Sequence, residues 1–467
     1  MSGYLDLRLA AASLVAFKAT VGPERSLDMT ADRVAGATTA VAGAFVEGLA
    51  CRACGARSPA IAASACEECF GPLEVRYDLE AVRAAVTRED VAAGPASLWR
   101  YAPLLPASPE GRVDLGDGWT PLRRARRLGA ELGLSHLYVK DETRNPTHSF
   151  KDRVVSVALT KAREFGFDTV ACASTGNLAH AVAAHAAAAG LRAVTLVPSG
   201  LEEGKLAATA VYGATLVEVE GTYDEVNRLC AEAADELPWA FVNVNLRPYY
   251  AEGSKTIAFE TAEQLGWRAP DHVVVPVASG ALLTKVAKGF RELHEAGLLD
   301  EEPHVRVSGA QAAGCAPVAD AFAAGMSDVS PVRFPQTIAR SLAIGDPADG
   351  RFALGEIRSS GGAAASVTDQ EIVEAVGLLA RTEGIFTETA GGVTIAALQR
   401  LAVDGVVRPD ETIVAYVTGM GLKTLEPFAG RFAPTAVVAP RYEALLDALT
   451  RVRPDVLTGV APEVLPW

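Results

Sequence analysis

No apolar run in the 467-residue sequence approaches the roughly 18–20 residues that a helical membrane span needs, so no membrane partner is expected. Basic charge is also short: 43 Lys+Arg stand against 57 Asp+Glu, a net of −14. That balance disfavours a nucleic-acid partner, which would need a basic face. Seven cysteines in so long a chain are too few for a secreted disulfide framework and fit a reducing cytoplasm. The Ala-rich stretch at residues 9–15 lies between Arg8 and Lys18 with no cleavage site after it, so a signal peptide is not expected either. Charged residues make up only 21% against 49% hydrophobic, which excludes a disordered chain. The length points to more than one domain.

Within that frame the chain divides by pattern. Residues 1–46 form an Ala/Val/Thr-rich extension without a motif, with Met29 an alternative first residue. Residues 47–78 form a cysteine module, followed by a polar linker carrying Gly94, Pro95, Pro103, Pro106 and Pro109. The body, 79–435, alternates short β-branched strands with helical segments, and 436–467 reads as a peripheral tail. Strands are predicted at 136–139, 169–173, 193–197, 215–219, 273–277, 305–310 and 413–417. Helices are predicted at 151–165, 178–189, 224–236, 254–265, 282–296, 369–383 and 393–403. Apolar strands separated by helices imply an α/β fold with parallel sheets covered on both faces. Ligands in such folds sit at the carboxyl ends of strands, and the unusual residues cluster there.

The first such cluster runs Asn145-Pro146-Thr147-His148-Ser149-Phe150-Lys151-Asp152-Arg153. Pro146 bars helix before it and Ser149 is the expected N-cap, which puts Lys151 in the first helical turn. A cation there is disfavoured by up to ~1 kcal/mol, a conflict that suits a lysine required as a neutral nucleophile. A surface lysine in a salt-bridging Lys-Asp-Arg run is the competing reading. Ser174-Thr175-Gly176-Asn177 closes one strand and opens a helix, offering hydroxyls and backbone N–H groups to an anion. Ala278-Ser279-Gly280-Ala281-Leu282 repeats the arrangement with small side chains, so that backbone donors can approach a phosphate. A close helix–strand packing turn would look the same. Cys51-x2-Cys54 and Cys66-x2-Cys69 have the spacing of a small tetrahedral zinc ribbon, an empty remnant being the alternative.

The Lys151 segment resembles the N-P-T-x-S-F-K-D-R motif of the fold type II pyridoxal-phosphate (PLP) enzymes, in which the lysine carries the cofactor. Tyr416-Val417-Thr418-Gly419-Met420-Gly421-Leu422-Lys423 looks like the T-G-x-G-L-K segment of threonine synthases within that family. Glu252-Gly253-Ser254-Lys255-Thr256 is similar to its E-G-x-K-T segment, and Glu388-Thr389-Ala390-Gly391-Gly392 to its Glu-small-small loop. The matches run from about Gly118 to Lys423.

The resemblance implies a fold type II enzyme with two parallel-sheet lobes, the smaller about 145–248, and a cysteine module in front. It implies that Ser174, Thr175, Gly176 and Asn177 grip a substrate carboxylate and that Asn177 also meets the cofactor's phenolic oxygen. Residues Ala278, Ser279, Gly280, Ala281 and Leu282 would hold the cofactor phosphate, and the Thr418 hydroxyl its pyridine nitrogen. The expected reaction turns O-phospho-L-homoserine and water into L-threonine and phosphate, with Lys151 moving protons; a homodimer is expected from the family and from the prevalence of two-fold oligomers. Two departures stand out. His148 replaces the usual Gly, as a packing variant or a substrate contact, and Tyr250 replaces an Arg before E-G-x-K-T. Asn245, Arg247 and Lys255 are therefore the candidate ligands for the substrate phosphate, with Arg247 pairing to a surface acid as the competing reading. These departures keep open a cysteate synthase (O-phosphoserine plus sulfite) or an enzyme acting on a substrate analogue.

Overall fold

The computed structural model describes residues 43–458 apart from 175, 201–202, 222 and 432–433. The expected extension at 1–46 thus lies outside the described residues up to 42, and the expected tail beyond 458. Strands are numbered in chain order: β1 Val46–Cys51, β2 Arg57–Ser58, β3 Leu73–Tyr77, β4 Leu122–Arg124, β5 His136–Asp141, β6 Thr169–Ala173, β7 Arg192–Pro198, β8 Thr215–Val219, β9 Ala240–Phe241, β10 His272–Pro276, β11 Arg306–Ala312, β12 Ala364–Val367 and β13 Thr412–Val417. They form three sheets.

The large sheet has the order β12-β11-β10-β13-β5-β4, parallel except for the β4–β5 edge pair. The smaller sheet, β8-β7-β6-β9, is parallel throughout. The fold is α/β with two parallel-sheet lobes, and the central strands β6 and β10 are buried at every position. Their apolar residues face helices on both sides, which is why these strands read as continuous hydrophobic runs. On the large sheet one cluster gathers Val273, Val275, Val307 and Val414 against the helix Ala281–Glu295, and another gathers Val139, Val274, Ile413 and Ala415 against the helix Thr389–Val403.

β1, β2 and β3 form an antiparallel three-stranded sheet that carries the cysteine module. It docks on the body through the helix Arg247–Gln264: Tyr249 Oη donates to Ile61 O at 2.8 Å, and Tyr77 Oη to Glu252 Oε2 at 3.0 Å. That helix starts seven residues before the predicted 254, with Pro248 in its first turn where no N–H is required. Gly253 lies inside it because a Cβ there would collide with the Arg153 carbonyl.

Candidate active site

Lys151 is the first residue of the helix Lys151–Glu164. The expected cap is corrected: Phe150 occupies that position and no side chain caps the helix. Ser149 instead forms an antiparallel bridge with Gly419, and Phe150 N donates to Thr418 O at 2.9 Å. This leaves the Ser149 hydroxyl buried without a hydrogen-bond partner. The preceding loop is braced by Asp152, whose carboxylate accepts from Thr147 N at 2.7 Å and Thr147 Oγ1 at 2.6 Å. Asp152 and Arg153 are both 0% exposed, which excludes a surface salt-bridging run. Arg153 is clasped by Glu142 at 2.6 Å and Glu260 at 2.5 Å, and Lys140 reaches Glu260 at 2.7 Å. Lys151 Nζ itself donates to Tyr250 Oη at 3.0 Å and lies 4.7 Å from the centre of the Phe150 ring.

His148 has φ +65°, in the left-handed region. That conformation is the physical reason the position favours glycine. Its imidazole is exposed, with Nδ1 3.4 Å from Thr143 O.

At the end of β6, Ser174 Oγ accepts from Gly176 N at 3.2 Å and Ala179 N at 3.1 Å, so its hydroxyl holds the turn into the helix Asn177–Ala189. Thr175 lies outside the described residues. Asn177 Nδ2 donates to Glu388 Oε2 at 2.9 Å and Oε1 at 3.1 Å. Burial raises the Glu388 carboxyl above its ordinary range, against the pull of Asn177, Lys423, Lys205 and Lys151. Glu388 N donates to Gly419 O at 2.9 Å, tying this pair to the turn after β13. Thr418, in that turn, is 3% exposed, and its hydroxyl has no hydrogen-bond partner among the described residues. Lys151, Asn177, Glu388 and Thr418 are thereby joined by a short chain of contacts.

The turn after β10 carries Ala278, Ser279 and Gly280 into the helix Ala281–Glu295, which Ala281 and Leu282 open. Gly280 has φ +91°, and a Cβ there would lie 2.8 Å from Asp349 O. Asp349 N donates to Ser279 O at 2.8 Å.

The three proposed phosphate ligands are committed elsewhere. Lys255 is 0% exposed, with Nζ 2.6 Å from Glu252 and 2.7 Å from Glu292, over the Tyr77 ring at 3.8 Å. The Asn245 amide is spent on the backbone, accepting from Phe241 N at 2.8 Å and donating to Trp239 O at 3.1 Å. Arg247 pairs with Asp349 at 2.6 Å. The acid is not a surface one, since its side chain is 7% exposed.

Two lysines, Lys423 and Lys205, lie near Glu388 instead, with a neutral histidine close to them. Lys423 Nζ donates to Thr147 O at 2.6 Å. A Cβ on Gly176 would lie 3.9 Å from Lys205 Cδ, which puts that lysine beside the Ser174 turn. His180, one helical turn after Asn177, has its Nε2 buried without a hydrogen-bond partner. Burial, with Lys423, Lys205 and His148 nearby, lowers its pKa to about 4.

The four module cysteines converge. Cys51 and Cys69 Sγ are 3.5 Å apart and Cys54 and Cys66 Sγ 3.7 Å, with all four sulfurs within 4.8 Å of one another. Zinc–sulfur bonds of ~2.3 Å in a tetrahedron put neighbouring sulfurs about 3.8 Å apart, so the set fits that geometry.

The family model of the pyridoxal-phosphate dependent enzymes matches residues 113–419. A threonine synthase of Methanocaldococcus jannaschii is 43% identical over 358 residues, covering 76% of this chain and 88% of the relative. One from Methanosarcina acetivorans is 39% identical over 385 residues, covering 82% and 94%. The chain belongs to the threonine synthase family of pyridoxal-phosphate dependent enzymes. Solved structures agree on the fold. Maize serine racemase superposes with a TM-score of 0.55 at 22% identity, covering 65% of this chain and 88% of its own. Diaminopropionate ammonia lyase from Escherichia coli does so at 0.57 and 19%, covering 72% and 89%.

Within this family member, sequence reasoning left three residues without a role, Tyr250, His180 and Lys205, and placed Glu388 only as the first residue of the Glu-small-small loop. Tyr250 was legible only as a departure from Arg. His180 carried a signal, standing three residues after Asn177 and so on the same helix face.

Proposed function

We propose that this chain is a PLP enzyme that converts O-phospho-L-homoserine and water into L-threonine and phosphate. The observation that carries the reading is the Lys151 amine, held by Tyr250, on a helix start whose Phe150 N–H bonds Thr418 O in the same turn that holds Glu388 and, through it, Asn177, in a chain of this family. The residues present fit the cofactor. The Ser149 hydroxyl, two residues from Lys151, is buried with no protein partner among the described residues, and a helix N-terminus with small residues offers backbone donors to a phosphate.

Lys151 would hold the cofactor covalently, Ser279 to Leu282 its phosphate, Thr418 its ring nitrogen, and Asn177 its phenolic oxygen. When bound, the cofactor supplies an electron sink that lets protons leave Cα and Cβ of the substrate as the γ-phosphate departs. Lys151 takes and returns those protons, Tyr250 holding its amine between transfers. A hydroxyl at Thr418 leaves the ring nitrogen's partner neutral, which suits elimination and replacement. The Ser174–Asn177 turn receives the substrate carboxylate through backbone N–H groups. Lys205 and Lys423 receive the negative charge of a phosphorylated amino acid, taking the part first expected of Asn245, Arg247 and Lys255, and His180, neutral above about pH 4, offers an uncharged ring N–H beside them.

A structural zinc in the four-cysteine module fits the sulfur spacing. A homodimer and a cytoplasmic location complete the reading; two-fold homo-oligomers are the commonest kind, and no described helix is long and apolar enough to cross a membrane.

A second reading, O-phosphoserine plus sulfite giving cysteate, draws on one observation: Tyr250 stands where relatives carry Arg. Purified protein supplied with PLP and O-phospho-L-homoserine is expected to release phosphate and form threonine. No release from that substrate, with turnover of O-phosphoserine and sulfite, would overturn the first reading in favour of the second. Lys151→Ala is expected to lose both turnover and the visible absorbance of lysine-bound cofactor.

A further inference from the structure

The cysteine module does more than decorate the body. Arg52 lies between Cys51 and Cys54, and its side chain leaves the module: Nη1 reaches Asp349 Oδ1 at 2.9 Å, and the guanidinium lies 3.9 Å from the centre of the Phe352 ring. The other oxygen of Asp349 takes Arg247 Nη2 at 2.6 Å. Arg247 opens the helix that presents Tyr250 to Lys151. Through its backbone, Asp349 also holds the turn after β10, donating to Ser279 O at 2.8 Å and closing over Gly280. One carboxylate, 7% exposed, thus joins the first cysteine knuckle, the Tyr250 helix and the Ser279–Gly280 turn.

Resting on the reading above that this turn holds the cofactor phosphate, we propose that Arg52 is a positioning residue for the turn, so that the folded cysteine knuckle sets cofactor affinity. The physical logic is compensation. Asp349 beside a phosphate-binding turn would repel the incoming anion, and two guanidiniums held on its two oxygens offset that charge while fixing its backbone. Arg52 is delivered from a knuckle whose geometry four thiolates fix when a metal joins them. Loss of the knuckle's shape therefore withdraws one guanidinium from the site.

The module has other anchors, which separates this role from mere docking. Tyr77 bonds Glu252, Lys285 bridges Glu74 and Glu252 at 2.5 Å each, and Tyr249 reaches Ile61. Arg52→Ala should leave these in place.

The test uses the full-length chain as Arg52→Ala and Arg52→Lys beside the parent. Zinc per chain is measured by atomic emission, melting temperature by calorimetry, and PLP affinity by absorbance titration after cofactor removal. The expected result is parental zinc content and melting temperature in both variants. Cofactor binding should weaken roughly tenfold in Arg52→Ala, the size of coupling within one ion-pair network, and less in Arg52→Lys. Stripping zinc with a chelator should weaken PLP binding in the parent but add little in Arg52→Ala. Unchanged PLP affinity in Arg52→Ala overturns the proposal, as does equal weakening by chelator in parent and variant. A fall in affinity matched by zinc loss or a lowered melting temperature in both variants also overturns it, leaving a structural role only. If the parent binds no PLP at all, the functional reading fails with it, a result distinct from the others.

Discussion

Gly280 is the residue where backbone conformation and ligand chemistry meet. Its φ of +91° is strained for any L side chain, and a Cβ would press on the Asp349 carbonyl. Gly280→Ala is therefore expected to cost about 1–3 kcal/mol of local strain, read as weaker PLP binding in an absorbance titration. At Asn177 the effect is of another kind. Asn177→Ala removes the side-chain amide that donates to both oxygens of Glu388 and leaves a buried carboxyl group less satisfied, at a cost of roughly 1–3 kcal/mol. The expected outcome is a lowered kcat and a shifted cofactor absorbance maximum, with melting temperature changed by a few degrees. His148→Gly relieves a left-handed residue, so it should raise the melting temperature slightly. Unchanged kinetics in that variant would assign the imidazole to packing rather than to substrate.

The helix Arg247–Gln264 shows what one element contributes. It lies against the helix Lys151–Glu164 with Gly253 at the close approach, and it sends Glu260 into a buried set with Arg153, Lys140 and Glu142. Arg153→Ala leaves two buried carboxylates without their guanidinium, and is expected to destabilise by about 3–5 kcal/mol, measured by denaturant unfolding. The strands at 169–173 and 215–219 were legible to the residue, because their β-branched runs are bounded closely by Ser174 and by Gly213 and Gly221. It hid this helix's first seven residues, since Pro248 and Gly253 read as breakers while packing decided otherwise. The edge strands β4 and β12 were missed as well; short and partly exposed, they carry no apolar run. For the proposed site, Lys151, Ser174, Asn177, Gly280 and Thr418 were legible as motif residues because they sit on turns with local signatures. The partners of Lys255 and Arg247 were not legible, because a cation's partner depends on residues far along the chain, here Glu292 and Asp349; the Asn245 amide was taken by its own turn, at Trp239.

Across the whole molecule, buried ion pairs give stability a defined acid limb. Burial raises Glu260, yet Arg153 and Lys140 bring it to about 2; Glu74 is likewise brought to about 2 by Lys285 and Lys288. Both sit below the unfolded value near 4.5, so their contribution is complete above that value and is lost as pH falls towards 2. Melting temperature is expected to decline steadily from pH 5 to pH 2–3, and Glu260→Gln should flatten that limb while lowering stability at neutral pH. Strand order carries a consequence in time. β13, the last strand among the described residues, lies between β10 and β5, so the large sheet has a gap at its centre until residue 417 has left the ribosome. Through most of synthesis, β5 and β10 would each present an unpaired edge, the condition that invites misassociation of nascent chains. Completion of this lobe therefore waits for β13, and its yield in the cell should respond to chaperone supply more than to any single contact in the finished site.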